Sequence, residues 1–344
     1  MSYTDLFSGK MYDFASPFEI SVAPNNVISN LNLFSIEHHQ LNRIAIDTSI
    51  ISDNLTAAEQ PAYAQSAWNT ARRPEFSTQL YGLRYVNSLN SVTSRDLEQY
   101  RSRGNPDVGD QITLALADFS AAQYSQIQNS IELALCEALL DLKQDSDYAD
   151  QGNLDFLAGS AKTQFTLDAS DTANIFEQLT QINRIQSVTL GEGLAKQRRG
   201  MVVLAAGKAA SALRYHSSIS QFMTYTLSVN NPDNFFTKVQ TDNPGLESWQ
   251  LNGVTVIDVT GIPSIASRIG ADGFVALPLL DNAFALHSGI GTRHATQGKG
   301  ADLVHQYVVV DQQFGFPSIC SESSFLPFIP QVVAQSIVFG SLGS

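Results

Sequence analysis

Apolar and polar positions change period several times along this chain, and one stretch keeps a helical period longer than any other. Between Asp118 and Lys143, DFSAAQYSQIQNSIELALCEALLDLK, the residues Ile127, Ile131, Leu135, Ala138 and Leu142 recur three or four positions apart. That spacing stacks them on one face of an α-helix and directs Gln123, Gln126, Asn129 and Glu137 elsewhere. It predicts an amphipathic rod of about 25 residues, ~38 Å long. Asp118 or Ser120 suits its start, where a side-chain oxygen accepts from a free backbone N–H, and Lys143 suits the negative end of the helix dipole. The acidic, helix-poor run QDSDYADQG ends it. A rod of this length reads as a spine around which the rest of the chain is arranged.

Before the spine the pattern is different. Met1 to Gln60 mixes short extended patches with turn formers, and LNRIAIDTS sets Leu41, Ile44 and Ile46 among polar residues as a strand does; an extended arm is expected there. Pro61 to Asp110 carries six arginines, Arg72, Arg73, Arg84, Arg95, Arg101 and Arg103, against five acids. Its middle, RRPEFSTQLYGLRYVNSLNSV, reads as two short strands around a turn near Gly82 or Asn87. A hairpin with so little apolar surface is marginal alone, so it is expected to lie against another subunit.

Beyond the spine, TANIFEQLTQINRI reads as a helix, Met201 to Leu204 as a buried strand, Ala206 to Leu213 as a short helix, and LNGVTVIDV and DGFVALPLL as two more strands. Strands are expected again at Tyr307 to Val310 and Val332 to Phe339. No internal repeat is present.

Composition narrows the function. Hydrophobic residues make up 43% and charged residues 15%, so much of the surface must be Ser, Thr, Asn and Gln, which suits a subunit packed against neighbours. A net charge of -13 argues against sequence-independent nucleic-acid binding, which needs Lys and Arg to neutralise phosphates. The two cysteines, Cys136 and Cys320, give neither zinc spacing nor a disulfide framework and are expected as small buried hydrophobes. The N-terminal sequence lacks the basic start and apolar core of a signal peptide, and no apolar run approaches bilayer length; a cytoplasmic, soluble chain without membrane contact is expected.

Motifs for chemistry are missing. Gly207-Lys208 has Val202 where a P-loop needs glycine, Gly298-Lys299 runs into Gly300, and GEGLAK puts Lys196 where a dinucleotide fingerprint needs its third glycine. Asp145, Asp147 and Asp150 lack the glycine and closing glutamate of a calcium loop. The six histidines, His38, His39, His216, His287, His294 and His305, fall in different expected elements, so no metal site, cofactor site or catalytic group is assigned.

The order of elements resembles that of the major capsid proteins of tailed bacteriophages, closest to the lambda-type branch of the Hong Kong 97-like capsid family. VVLAAGKAASALRYHSSISQFMTY is similar to that family's axial strand and helix, with Ala212, Leu213 and His216 to Ile219 in place and Ser217 where proline is usual. GFVALPLLDNAFALHSG resembles the strand pair that precedes the return to the peripheral domain. ESSFLPFIPQVVAQSIV resembles the closing segment through Leu326, Pro327 and Pro330.

The resemblance implies an α+β, Hong Kong 97-like capsid fold. Its parts would be an N-terminal arm (1–60), an extended β-hairpin loop (61–110), a peripheral domain with the spine helix (111–173 and 301–344) and an α/β axial domain (174–300). It implies a structural, non-enzymatic subunit that forms hexamers and pentamers with itself. A separate scaffolding protein and a portal would take part, and the shell would close around double-stranded DNA without binding it specifically. Location would be the virion capsid, assembled in the host cytoplasm. The six loop arginines are then subunit-interface candidates, paired with acids such as Asp145 to Asp155 of adjacent copies, and Ile127, Ile131, Leu135 and Leu142 form the spine-helix core. Some relatives cross-link a loop lysine to an asparagine of a neighbour; this chain has no lysine between Lys10 and Lys143, so no such bond is expected. The alternatives are an encapsulin-like compartment, another phage structural component, or a hydrolase using His216.

Overall fold

The computed structural model describes residues 26–41, 43–47, 78–102, 108–144, 154–219, 247–251, 253–281, 283–291, 302–310 and 315–343. Leading from the N-terminal side are a one-turn helix α1 (Val27–Asn30) and strands β1 (Phe34–His38) and β2 (Arg43–Asp47). After them come β3 (Thr78–Gly82), β4 (Arg84–Ser91) and helix α2 (Ser94–Ser102). The spine, α3, runs from Val108 to Cys136 and widens into a π-helical turn over Glu137–Asp141, which Leu142 ends in the left-handed conformation.

The spine therefore starts ten residues before the expected Asp118. Ile112, Ala115 and Leu116 are buried with Val92 and Ile319, while Leu114 stays exposed, so the alternating run QITLALAD is helical despite its strand-like period. Ser120 is buried inside the helix and caps nothing. At the other end Lys143 is exposed, and Lys162 takes the capping role: its Nζ donates to the Leu140 carbonyl at 2.8 Å and lies 4.3 Å above the Phe339 ring. Burial holds the Lys162 ammonium below its ordinary pKa, with Lys143 adding to the effect.

The short strands β5 (Lys143–Gln144) and β6 (Leu154–Asp155) pair with each other, and β7 (Thr163–Leu167) leads to helix α4 (Ile175–Ala195). Asn174 caps α4 by accepting from the N–H groups of Phe176 and Glu177. Strand β8 (Arg198–Ala205), helix α5 (Gly207–Tyr215), strands β9 (Ser248–Leu251) and β10 (Val254–Asp258), helix α6 (Pro263–Ile269) and strands β11 (Gly273–Leu280) and β12 (Phe284–Ser288) follow. The chain closes with β13 (His305–Val310), β14 (Pro317–Phe328), helix α7 (Gln331–Ser336) and β15 (Val338–Leu342). The run expected as one strand from Val332 is thus a helix turn followed by a strand, split where Ile337 returns to extended backbone.

Two sheets organise the molecule. One is six-stranded in the order β7-β15-β11-β8-β10-β9, and the other is β1-β12-β14-β13 with β4 also paired along β14. Strand membership departs from the expected division at three places. Strands β7 and β15 lie in the six-stranded sheet with β8, β10 and β11, and β12 lies in the sheet beneath the spine. Thus β11 and β12, read as a strand pair, belong to different sheets. Both faces of the six-stranded sheet are covered, which is why its strands read as unbroken apolar runs. Met201, Val203 and Ala205 face α4 and α5, packing with Ile175, Leu179, Ile182 and Phe274. Val202 and Leu204 face the other way, into a core shared with Ile127, Ile131, Leu135 and Leu142 of the spine and its end.

Candidate assembly interface

The loop expected to reach a neighbour begins from a ribbon. Strands β2 and β3 pair antiparallel, Arg43 opposite Gly82 and Asp47 opposite Thr78, so residues 48–77 form their connection. The expected hairpin around Gly82 is not formed: β3 turns back on β2, whereas β4 pairs with β14. Alternation explains the ribbon's seat. Ile44 and Ile46 point inward and pack with Leu326, while Leu80 remains exposed on the other face. Among the described residues the ribbon pairs with no third strand, which leaves backbone donors and acceptors along its sides.

The arginines of this region separate on inspection. Arg72, Arg73 and Arg103 lie outside the described residues, as do the acids Asp145 to Asp150; Arg101 falls in α2, and Arg95 is exposed on the same helix. Arg84 is a correction to the interface set. Its side chain is only 6% exposed, its Nη1 lies 3.5 Å from Glu137 of this same chain, and its guanidinium sits 5.8 Å from the Phe325 ring centre. Glu137 also faces Arg268 at 3.5 Å, and Arg268 pairs with Asp141. The four charges tie β4, the π turn of the spine and α6 together, so Arg84 fixes the loop's base to the body of the subunit.

A second exposed surface lies on the face of the β13-β14-β4 sheet away from the spine. Register puts Tyr307, Cys320 and Leu89 in one row across the three strands, with Tyr85 and Val309 nearby. Leu89, on β4, is 65% exposed. Tyr307 donates its hydroxyl to the buried Glu322 carboxylate, and burial together with that carboxylate pushes the phenol well above its ordinary range.

Of the residues expected in the spine core, Ile127, Ile131, Leu135 and Leu142 are all buried. Two buried spine side chains escape a periodicity argument. Gln123, expected to point outward, donates to Asn90 Oδ1 at 2.7 Å and to the Ile319 carbonyl at 3.1 Å. Glu132 accepts from the Ile28 and Ser29 N–H groups at 2.7 and 3.0 Å and from the Ser29 hydroxyl at 2.6 Å, so it caps α1 and fastens it to the spine. Burial raises its pKa and those three bonds oppose the rise. An acid flanked by apolar neighbours in a helix is the one sequence sign of such a cap.

His216, the candidate base of a hydrolase, is engaged at both ring nitrogens: Nε2 with the Ser170 carbonyl at 2.9 Å and Nδ1 with the Ser218 hydroxyl at 2.8 Å. A carbonyl only accepts, so Nε2 carries the proton and Nδ1 accepts, which makes the ring a clip between two turns. His39 and His287, expected in unrelated elements, are brought together beside Glu37. No helix among the described residues is long and apolar enough to cross a membrane.

No family model matches the chain, and no curated protein matches it in sequence. Solved structures do: 186 chains resemble it. One, named as the capsid protein of a prophage in Escherichia coli CFT073, is 9% identical with a TM-score of 0.57, covering 97% of this chain and 100% of that one. Another, from the mature capsid of bacteriophage PhiM1, is 11% identical with a TM-score of 0.51, covering 90% of this chain and 85% of that one. At these identities the likeness is one of fold. The fold is the mixed helix and sheet arrangement of phage capsid proteins, as the order of elements implied.

Proposed function

We propose that this chain is the structural subunit of an icosahedral viral shell, a major capsid protein that assembles as hexamers and pentamers around a phage genome. The observation that carries the reading is correspondence from end to end with a prophage capsid protein, 97% of one chain on 100% of the other. A β2-β3 ribbon that pairs with no third strand among the described residues and an exposed apolar row on the β13-β14-β4 sheet fit a protein whose work is packing against its own copies. Arg72, Arg73, Arg95, Arg101 and Arg103 remain candidates for charge-assisted contacts with acids of adjacent copies. The net charge of -13 fits a shell that encloses double-stranded DNA without gripping it. Scaffolding protein and portal are separate chains in this reading, assembly is in the host cytoplasm, and no step is catalytic.

Electron microscopy of the purified chain in negative stain tests it. Closed shells, or rings of five and six, are expected; a monodisperse monomer at every concentration overturns it. Replacing residues 48–77 by a short turn, leaving β2 and β3 paired, should give a folded subunit that no longer forms shells. Assembly unchanged by that deletion would make the loop mere surface. Particles boiled in detergent should run as one band at the monomer mass, since no lysine lies between Lys10 and Lys143 to form a covalent link from the loop. A ladder of multimers would refute that expectation.

A further inference from the structure

Strand β1 is the edge of its sheet and is held there by β12, its parallel neighbour, with Glu37 opposite His287 and His38 opposite Ser288. Residues two apart on a strand share a face, so Glu37 and His39 stand together over His287. His39 Nε2 lies 2.9 Å from His287 Nδ1, and Glu37 Oε2 lies 3.3 Å from the same nitrogen. All three donor atoms fall within 4.8 Å of one another. His287 is buried, with the Phe328 ring centre 6.2 Å from its own, whereas Glu37 is exposed. Burial holds the His287 imidazole below its ordinary pKa, against an opposing pull from Glu37 and with a smaller push from His39.

We propose that Glu37, His39 and His287 bind one divalent transition-metal ion of the zinc class, clamping edge strand β1 to β12. Two imidazole nitrogens and one carboxylate oxygen form a set that suits zinc and its neighbours and is poor for magnesium or calcium, which prefer oxygen alone. Two nitrogens bound to zinc at ~2.0–2.1 Å on tetrahedral corners lie roughly 3.4 Å apart, so the present pair opens by only about half an ångström. Without a cation the two rings share one N–H···N bond. With it, the shared proton moves to the far nitrogen of its ring, leaving His39 Nε2 and His287 Nδ1 as donors, and the fourth position falls to water.

The test uses untagged full-length protein stripped with chelator and titrated with zinc chloride in a calorimeter. One zinc per chain is expected, with a rise in the midpoint of thermal unfolding that added chelator reverses. Glu37→Gln and His39→Asn change residues that are not buried, so the subunit keeps its fold. Each should weaken zinc at least as much as losing an outer-shell partner does, about 10–100-fold. His38→Asn, on the opposite face of β1, should bind as the unaltered chain does. Equal affinity in His39→Asn and the unaltered chain overturns the site, as does equal loss in His38→Asn. Absence of stoichiometric zinc in the unaltered chain, or binding of magnesium chloride as tight as zinc, overturns it too.

Discussion

The two halves of the spine helix bury themselves by opposite chemistry. From Ile127 to its end at Leu142 the helix meets the six-stranded sheet and α1 through an apolar inner stripe, beside which the buried Glu132 holds α1. The half before Ile127 starts on a small apolar cluster around Ile112 and Leu116 and then crosses β14, β13 and β4 through a hydrogen-bonded seam. In that seam Gln306 donates to Ser321 Oγ at 2.7 Å and to the Ser120 carbonyl at 3.3 Å, while accepting from Ser120 Oγ at 2.9 Å. Ser321 donates in turn to Gln123, whose amide serves Asn90 and Ile319. A dry contact tolerates any side chain of the right volume, whereas a closed polar network tolerates only groups that return each bond.

The largest effect should come from charge on the dry half. Ile131→Asp buries a carboxylate with no partner on the stripe, costing several kcal/mol, a large share of a domain's whole stability. The variant should be insoluble or unfolded by circular dichroism and form no shells. A soluble, assembling variant would mean that the inner stripe is not closed to water.

Next in size is a matched pair that turns the comparison into a number. Leu135→Met and Gln123→Met replace good helix formers by another at buried positions of one helix, so propensity cancels. The leucine change conserves volume in an apolar site and should cost less than about 1.5 kcal/mol. The glutamine change strips partners from Ser321, Asn90 and the Ile319 carbonyl, and should cost about 2–3 kcal/mol because the buried Ser321 and Ile319 groups lose their bonds without regaining water. Urea unfolding of both measures the difference. Equal costs would show that water enters the seam and replaces the amide.

This contrast also accounts for what the sequence could tell. Hydrophobic periodicity locates the dry half, the strands β8 and β11 and the helix α4, because burial there is apolar and repeats. The seam is invisible to it: Gln123 and Ser120 carry surface-like side chains, and only the strand arriving from some 200 residues away makes them interior. The start of the spine was hidden for a related reason, since QITLALAD alternates like a strand, yet a helix forms because Ile112, Ala115 and Leu116 find a cluster and Leu114 can stay wet. Arg84 read as a loop charge since its partner Glu137 stands on the spine, far off in sequence. The placing of β7, β12 and β15 in their sheets was not legible from the chain, since local pattern does not say which sheet a strand joins.

The smallest effect separates two thiols on the two sides of this divide. Cys136 lies within the dry half, fully buried, and burial, with Glu132 adding repulsion, pushes its thiol up to about 12. Cys320 stands on the outer face of β14 in the row with Leu89 and Tyr307, and is partly exposed. Thiolate is the reacting form, so at pH 8 a disulfide reagent should label Cys320 in the folded subunit and reach Cys136 only on unfolding. The raised thiol has a sign for stability as well. The folded chain keeps a proton that the unfolded chain releases once pH passes the ordinary thiol range, so stability from this group falls as pH rises from about 9 towards 12. Cys136→Ala removes that slope and leaves a small cavity, a cost of about 1 kcal/mol. If the exposed row of the β13-β14-β4 sheet is covered when copies assemble, Cys320 labelling should slow in shells relative to free subunits. Unchanged labelling in shells would leave that face on the open surface and put assembly on the ribbon and loop alone.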